Sequence, residues 1–313
     1  MEIRTCSVGT AELAYQVFGN GRVELVIEMG LGAVMAEWQP LARQLGEGHT
    51  VLLYERAGYG ASGVSTLERT PAHIAEELYG LLEKLDHAEK VTLLAHSQGG
   101  LYAQKFARMY PELVERLVLL DPLSPEDSRF RTELTPAEFR KSGADKTAGL
   151  RLNLRLARLH LGWILRRVMR TAPPFYYDSS FSPEETAYIL DAVSRARTYE
   201  TALAEYAAAH EPQNLEGLTE PSGFPSVPLV LVTHDSWIEE QEIRTFGGAS
   251  EAEARKIEAL WQMLMRGYLD LSPRSRWVRA PHSSHYIHLT DRDLVCALLS
   301  GDGTEEQGME EKQ

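Results

Sequence analysis

Ser97 is the residue of this chain best suited to nucleophilic chemistry. It stands in Ala95-His96-Ser97-Gln98-Gly99-Gly100, after the apolar run Val91-Thr92-Leu93-Leu94 and before a helical pattern over 101–109. A serine between a strand and a helix occupies a hairpin so sharp that small residues are needed two before and two after it. Ala95 and Gly99 fill those places. Such a turn lifts the hydroxyl out of the sheet beside a helix N-terminus. A serine hydroxyl is a poor nucleophile at neutral pH, so it needs a base within hydrogen-bond reach, and that base needs an orienting acid. Late in the chain, His282-Ser283-Ser284-His285-Tyr286-Ile287-His288 offers three imidazoles. Carboxylates follow two apolar runs: Asp121 ends 117–120, and Asp235 comes after 229–232, with Glu239 and Glu242 further along. The plain alternative is an inert serine in a tight turn.

The elements that must position these groups follow from periodicity. Short strands are expected at 3–8, 12–17 and 24–28, with Gly19-Asn20-Gly21 as a turn signal. A helix is expected at 35–45 and a buried strand at 50–54. The next helix is 71–85, with Thr70 as N-cap and Pro71 at its first position. Strands alternating with helices at this spacing imply a mostly parallel sheet covered on both faces. From about 124 to 226 the alternation stops and the pattern is helical, with Ser182-Pro183-Glu184-Glu185 as a capping box. Beta character returns at 228–232. A helix capped by Ser250, with Glu253 three residues on, runs to about 269. A last strand is expected at 276–279 and a last helix from about 291. Residues 301–313 are acidic and Gly-rich, the composition of a disordered tail.

Composition narrows the function. The 313 residues are 43% hydrophobic and 25% charged, as in an ordinary soluble protein large enough for one α/β domain with an insertion. A net charge of −13 argues against nucleic acid as a partner. Cys6 and Cys296 lie near opposite ends and offer neither a disulfide framework nor a metal-ligand cluster. Met1-Glu2-Ile3-Arg4 opens a strand-like stretch instead of a signal peptide, so the expected location is cytoplasmic. No run of about 18 apolar residues is present to span a membrane. Composition says nothing of oligomeric state.

The strand, Ala95-His96-Ser97-Gln98-Gly99 and the helix after it together resemble the nucleophile elbow of the α/β-hydrolase superfamily. The resemblance covers about 1–123 and 227–300, and it implies a helical cap over 124–226. It makes Ser97 the nucleophile. Ser284-His285-Tyr286 resembles the small-His-aromatic segment before the family's final helix, with Ser for the usual Gly, which makes His285 the base. The family places its acid after either of two strands. Leu119-Leu120-Asp121-Pro122 resembles the acid-bearing segment of the pancreatic-lipase branch, and Asp235 is the alternative, with Glu239 and Glu242 behind it. An oxyanion needs two backbone N–H donors. The resemblance assigns them to Gln98 and to Leu31 in Glu28-Met29-Gly30-Leu31-Gly32, where Met29 replaces a frequent His. Glu55-Arg56-Ala57-Gly58-Tyr59-Gly60-Ala61-Ser62 resembles a loop that supports the elbow. Its Gly-x-Gly is not a dinucleotide fingerprint.

The implied reaction is hydrolysis of a carboxylic ester of a small or apolar substrate through an acyl-serine. It requires no metal and no organic cofactor. Ser97, where some relatives carry Asp, argues against dehalogenase or epoxide-hydrolase chemistry. The rival readings are a peptidase or carbon–carbon-bond hydrolase on the same scaffold, and a non-catalytic ligand binder.

Residues 151–170 hold six arginines and no acid. On one continuous helix Arg151, Arg155, Arg158 and Arg166 would share an arc of about 80°. The favoured expectation is a solvated basic face pairing with the acidic body; the alternative is contact with an anionic membrane or an acidic substrate. Phe175-Tyr176-Tyr177 is expected to be cap core or pocket lining.

Overall fold

The computed structural model describes residues 2–86 and 89–300. The tail 301–313, expected to be disordered, lies outside the described residues. The chain opens with strands β1 (Arg4–Ser7), β2 (Glu12–Phe18) and β3 (Leu25–Glu28). Helix α1 (Met35–Leu45), strand β4 (Val51–Glu55), helix α2 (Pro71–Lys84), strand β5 (Val91–His96), helix α3 (Gly99–Met109) and strand β6 (Val114–Leu120) follow in alternation. Thr70 caps α2 as expected, its side chain accepting from His73 N.

The eight strands run in the order β1-β2-β4-β3-β5-β6, completed by β7 (Leu229–Thr233) and β8 (Ser275–Arg279). β2 runs antiparallel to both of its neighbours, β1 and β4; from β4 onward the pairing is parallel. Helices cover both faces because side chains alternate along each strand. On β6, Leu117 and Leu119 join one core while Val118 and Leu120 join the other. The strand order reverses between β3 and β5, since β3 leads outward to β4 and β5 leads the other way to β6. Crevices at such a switch point, beyond the strands' carboxyl ends, are where open α/β sheets bind ligands. The loop after β3 and the turn after β5 meet there.

Between β6 and β7 the chain is helical. It runs through α4 (Arg129–Glu133), α5 (Pro136–Lys141), α6 (Thr147–Arg158), α7 (Gly162–Met169), α8 (Pro183–Ala192), α9 (Ala196–Ala208) and α10 (Pro212–Leu215). The Ser182 capping box opens α8. Ile189 and Ala192 of α8 and Ala202 of α9 pack with Tyr59 and Val34, which fixes these helices to the loops after β4 and β3.

The end of the chain is α11 (Ser236–Gly247), α12 (Glu251–Arg266), α13 (Ile287–Thr290) and α14 (Arg292–Ser300). Two expectations need correction. Residues 236–247 form a full helix that periodicity did not reveal, yet its ends are marked by Asp235 as N-cap and Gly248 at φ 68° as C-cap. Residues 151–170 are not one helix. The chain breaks at His160, whose φ is 59°, so Arg166 lies on α7 and does not share the arc of Arg151, Arg155 and Arg158 on α6.

Candidate active site

Ser97 has φ 53°, the left-handed region that side chains rarely enter. The strain is held by main-chain bonds on both sides. Ser97 N donates to Leu120 O at 3.1 Å, and Ser97 O accepts from Gly100 N at 2.9 Å and Leu123 N at 2.8 Å. Gly99 is obligatory, because a Cβ there would lie 2.4 Å from Glu28 O and 2.6 Å from Met29 O. The turn is therefore pressed against the loop after β3, which brings Gly30 and Leu31 beside the serine.

His285 lies in the loop between β8 and α13. Its Nε2 is 3.0 Å from Ser97 Oγ, and its Nδ1 is 2.8 Å from Asp121 Oδ2. Asp121 follows β6 directly with φ 46° and is almost fully buried. Burial by itself would raise its pKa. The His234 and His285 rings outweigh burial and hold the carboxyl well below the ordinary carboxylate range. The three groups span 188 residues of sequence and converge at the carboxyl ends of β5, β6 and β8.

The other carboxylates do not reach His285. Asp235 is the N-cap of α11, its Oδ1 accepting from Trp237 N at 3.0 Å and Ile238 N at 3.1 Å. That occupation corrects the alternative acid assignment. Glu242 accepts from Tyr177 OH at 2.6 Å. Glu239 lies nearby, with its carboxyl raised by burial, and holds no bond to the histidine. Of the other two imidazoles in the 282–288 segment, His282 is exposed and His288 is buried with its ring stacked 3.9 Å from Trp38.

Four residues that sequence reasoning missed shape the site. His234, at the end of β7, donates its main-chain N–H to Asp121 Oδ1 at 3.0 Å and places its Nδ1 2.8 Å from Asp121 Oδ2. Its Nε2 lies 3.0 Å from Glu258 on α12, and Gln262 donates to the same carboxylate at 2.7 Å. Burial would lower the His234 pKa, but Asp121 and Glu258 on its two sides raise it well above the usual imidazole value. A protonated ring donates to both carboxylates. His96, just before the serine, sits 2.8 Å through Nε2 from His285 O. Burial, reinforced by the His285 charge, pushes its pKa down to about 3, so it is a neutral donor holding the histidine loop.

Arg56 is the buried clamp behind the loop after β3. It donates to Glu28 at 2.7 Å, to Met29 O at 2.5 Å and to Gly30 O at 2.9 Å, and its other edge pairs with Glu205 of α9 at 3.0 Å. The segment expected to support the elbow thus also ties the loop after β3 to the helical insertion.

A cavity of about 270 Å³ opens on Ser97 and His285, with Leu31 and Gln98 on its wall. Phe130, Ile243, Ile257 and Trp261 give it an apolar side. Of the expected aromatic trio, Tyr177 lines the cavity and accepts from Ser284 Oγ at 3.0 Å, Phe175 packs in the insertion's core, and Tyr176 is exposed.

A strained serine with a hydrogen-bonded imidazole and a carboxylate behind it is the geometry of acyl transfer. Residues 30–298 match the Alpha/beta hydrolase family. The chain belongs to that family. Solved structures of similar fold include an esterase from Thermogutta terrifontis, 20% identical with a TM-score of 0.60, covering 95% of this chain and 96% of that one. The enol-lactonase of Burkholderia xenovorans LB400 is 17% identical with a TM-score of 0.59, covering 94% and 97%. The epoxide hydrolase CorEH is 18% identical with a TM-score of 0.65, covering 95% and 96%. An uncharacterized protein, Rv2715, of Mycobacterium tuberculosis is 34% identical over 107 residues, which is 34% of this chain and 31% of that protein. The chain spans about a third of the length of that relative. Among the described residues no helix is long and apolar enough to cross a membrane.

Proposed function

We propose that the protein is a serine hydrolase that cleaves carboxylic esters of small or apolar substrates through an acyl-serine. The observation that supports this reading is the chain of contacts from Ser97 Oγ to His285 at 3.0 Å and from His285 to Asp121 at 2.8 Å. In this reading His285 Nε2 accepts the Ser97 proton as Oγ attacks the acyl carbon. Asp121 stays ionised and stabilises the imidazolium. The main-chain N–H groups of Leu31 and Gln98 are the proposed donors to the oxyanion, fixed dipoles that need no reorganisation when charge develops. His285 then protonates the leaving alkoxide, and a water repeats the sequence on the acyl-serine. An ester is the default because its leaving group asks least of that proton. The apolar wall of the cavity suits an apolar acyl or alcohol portion. Serine at the elbow also sets this chain apart from a carboxylate-nucleophile route to epoxides.

Labelling with a fluorophosphonate tests the reading directly. The wild type should be labelled and Ser97→Ala should not. Ser97→Ala should also lose several orders of magnitude in turnover of short-chain aryl esters while keeping its melting temperature. Ester turnover by the variant within tenfold of wild type removes the assignment. Peptide arylamides run beside the esters separate a peptidase from an esterase.

A further inference from the structure

The arginine-rich stretch stands apart from the chemistry. On α6 the exposed residues Arg158, Arg151, Arg155 and Leu152 fill one arc of about 120° at ~100° per residue, and the exposed Leu159 follows as the C-cap. The opposite side of α6 packs through Leu154 and Ala157 onto Tyr199 of α9. On α7 the exposed Trp163 lies within an arc of about 100° shared with Arg166, Arg167 and Arg170. The apolar members are open to solvent, Leu152 at 56%, Leu159 at 67% and Trp163 at 64%. Only two of the six arginines find a carboxylate: Arg158 pairs with Glu200 at 2.7 Å and Arg166 with Asp191 at 3.1 Å. Among the described residues the other four have no acidic partner in ion-pair range. Both acids belong to the insertion itself, Asp191 to α8 and Glu200 to α9, so among the described residues the expectation that this face pairs with the acidic body is not met.

We propose that the outward faces of α6 and α7 dock on an anionic lipid bilayer. Single apolar side chains set among guanidinium groups match an interface where headgroup anions lie just above acyl chains. A nucleic acid or an acidic peptide would use the arginines but leave Trp163, Leu152 and Leu159 in water. Charge also fixes the orientation. In a chain of net charge −13, this arginine-rich face is attracted by an anionic surface while the body is repelled. The docking surface adjoins the cavity, because Gly143, Ala144 and Lys146 line it and α6 begins at the next residue, Thr147. Resting on the proposed ester hydrolysis, this placement assigns amphipathic acyl esters at a bilayer surface as the substrate class.

The test is flotation of the full chain with vesicles, using Ser97→Ala protein so that binding is read apart from turnover. Phosphatidylcholine vesicles should not retain it, whereas vesicles with three-tenths phosphatidylserine should. Arg151→Glu combined with Arg155→Glu should weaken that binding at least 25-fold, about fivefold for each charge removed. Trp163→Ala should weaken vesicle binding and leave retention on a heparin column unchanged. In the catalytically intact chain the same surface variants should cleave a water-soluble short-chain ester at the wild-type rate. Absence of vesicle binding, or binding indifferent to the arginine reversals, overturns the docking surface. Retention on heparin without vesicle binding overturns it in favour of a soluble polyanion. If soluble esters are still cleaved in these cases, the hydrolase reading stands alone; if vesicles bind but no ester is cleaved, the surface stands without the substrate class.

Discussion

Asp121 serves two imidazoles with one carboxylate. Its Oδ2 lies 2.8 Å from both His285 Nδ1 and His234 Nδ1. Asp121→Asn should cost on the order of 10⁴ in kcat, as loss of the orienting acid does in this kind of catalytic group. Asp235→Asn should cost less than about tenfold in kcat, since Asn still caps α11. The pair of measurements separates the two acids. His234 acts through Asp121 and is a positioning residue. Asp121 and Glu258 pair with it from its two sides, Glu239 lies nearby with its carboxyl raised by burial, and the Trp261 ring is 4.1 Å away. A protonated His234 draws part of the Asp121 charge away from His285. His234→Gln removes that nearby positive charge, so the acid limb of kcat/KM should move to higher pH. If kcat drops while the limb stays in place, His234 only packs. Ser97 and His285 were legible because each sits in a short local pattern. His234 and Glu258 were not, because their partnership joins a strand end to a helix 24 residues away and leaves no local signature.

The strands and most helices were legible because burial on both faces writes continuous apolar runs, and caps such as Thr70 and Ser250 mark helix starts. Periodicity failed at the break between α6 and α7, where His160, and not the nearby Gly162, takes the left-handed conformation. The resemblance gave the 55–62 loop a supporting role without showing which contacts carry it. Arg56 is the answer at this scale: it joins β3, its following loop and α9 through buried bonds. Arg56→Met leaves Glu28 buried without its cation and Glu205 with only Arg69, 3.7 Å away, and breaking such a buried pair costs about 3–5 kcal/mol. Urea unfolding should register that loss. Gly30 O and Met29 O also lose their donor, so esterase kcat should fall in variant that is still folded. A variant as stable as wild type would show that water or rearranged side chains replace the clamp.

At the scale of the whole molecule, two buried neutral imidazoles beneath the site tie folding to acidity. His96 and His288 are 4% and 2% exposed, and their rings lie 4.7 Å apart. Burial lowers both pKa values, His96 to about 3 and His288 well below its ordinary value, with neighbouring imidazoles adding to the effect. The sign follows from proton counts. Below about pH 6.5 the unfolded chain protonates both rings while the folded chain keeps them neutral. Stability therefore falls as pH drops from about 6.5, and for His96 the loss continues until the folded group titrates near 3. Buried carboxyls such as Glu37, raised to about 7 chiefly by burial, pull the opposite way as pH rises from their unfolded values. A comparison of variant with wild type cancels them. His288→Phe keeps the ring stacked on Trp38 and removes the titrating group. Relative to its value at pH 7, the stability of this variant should gain about 2 kcal/mol on wild type by pH 5, at roughly 1.4 kcal/mol per pH unit below 6.5. Urea titrations at the two pH values measure the difference. A gap that does not change with pH would mean that His288 is already protonated in the folded state, and that the packing against Trp38 encloses a charge instead of a neutral ring.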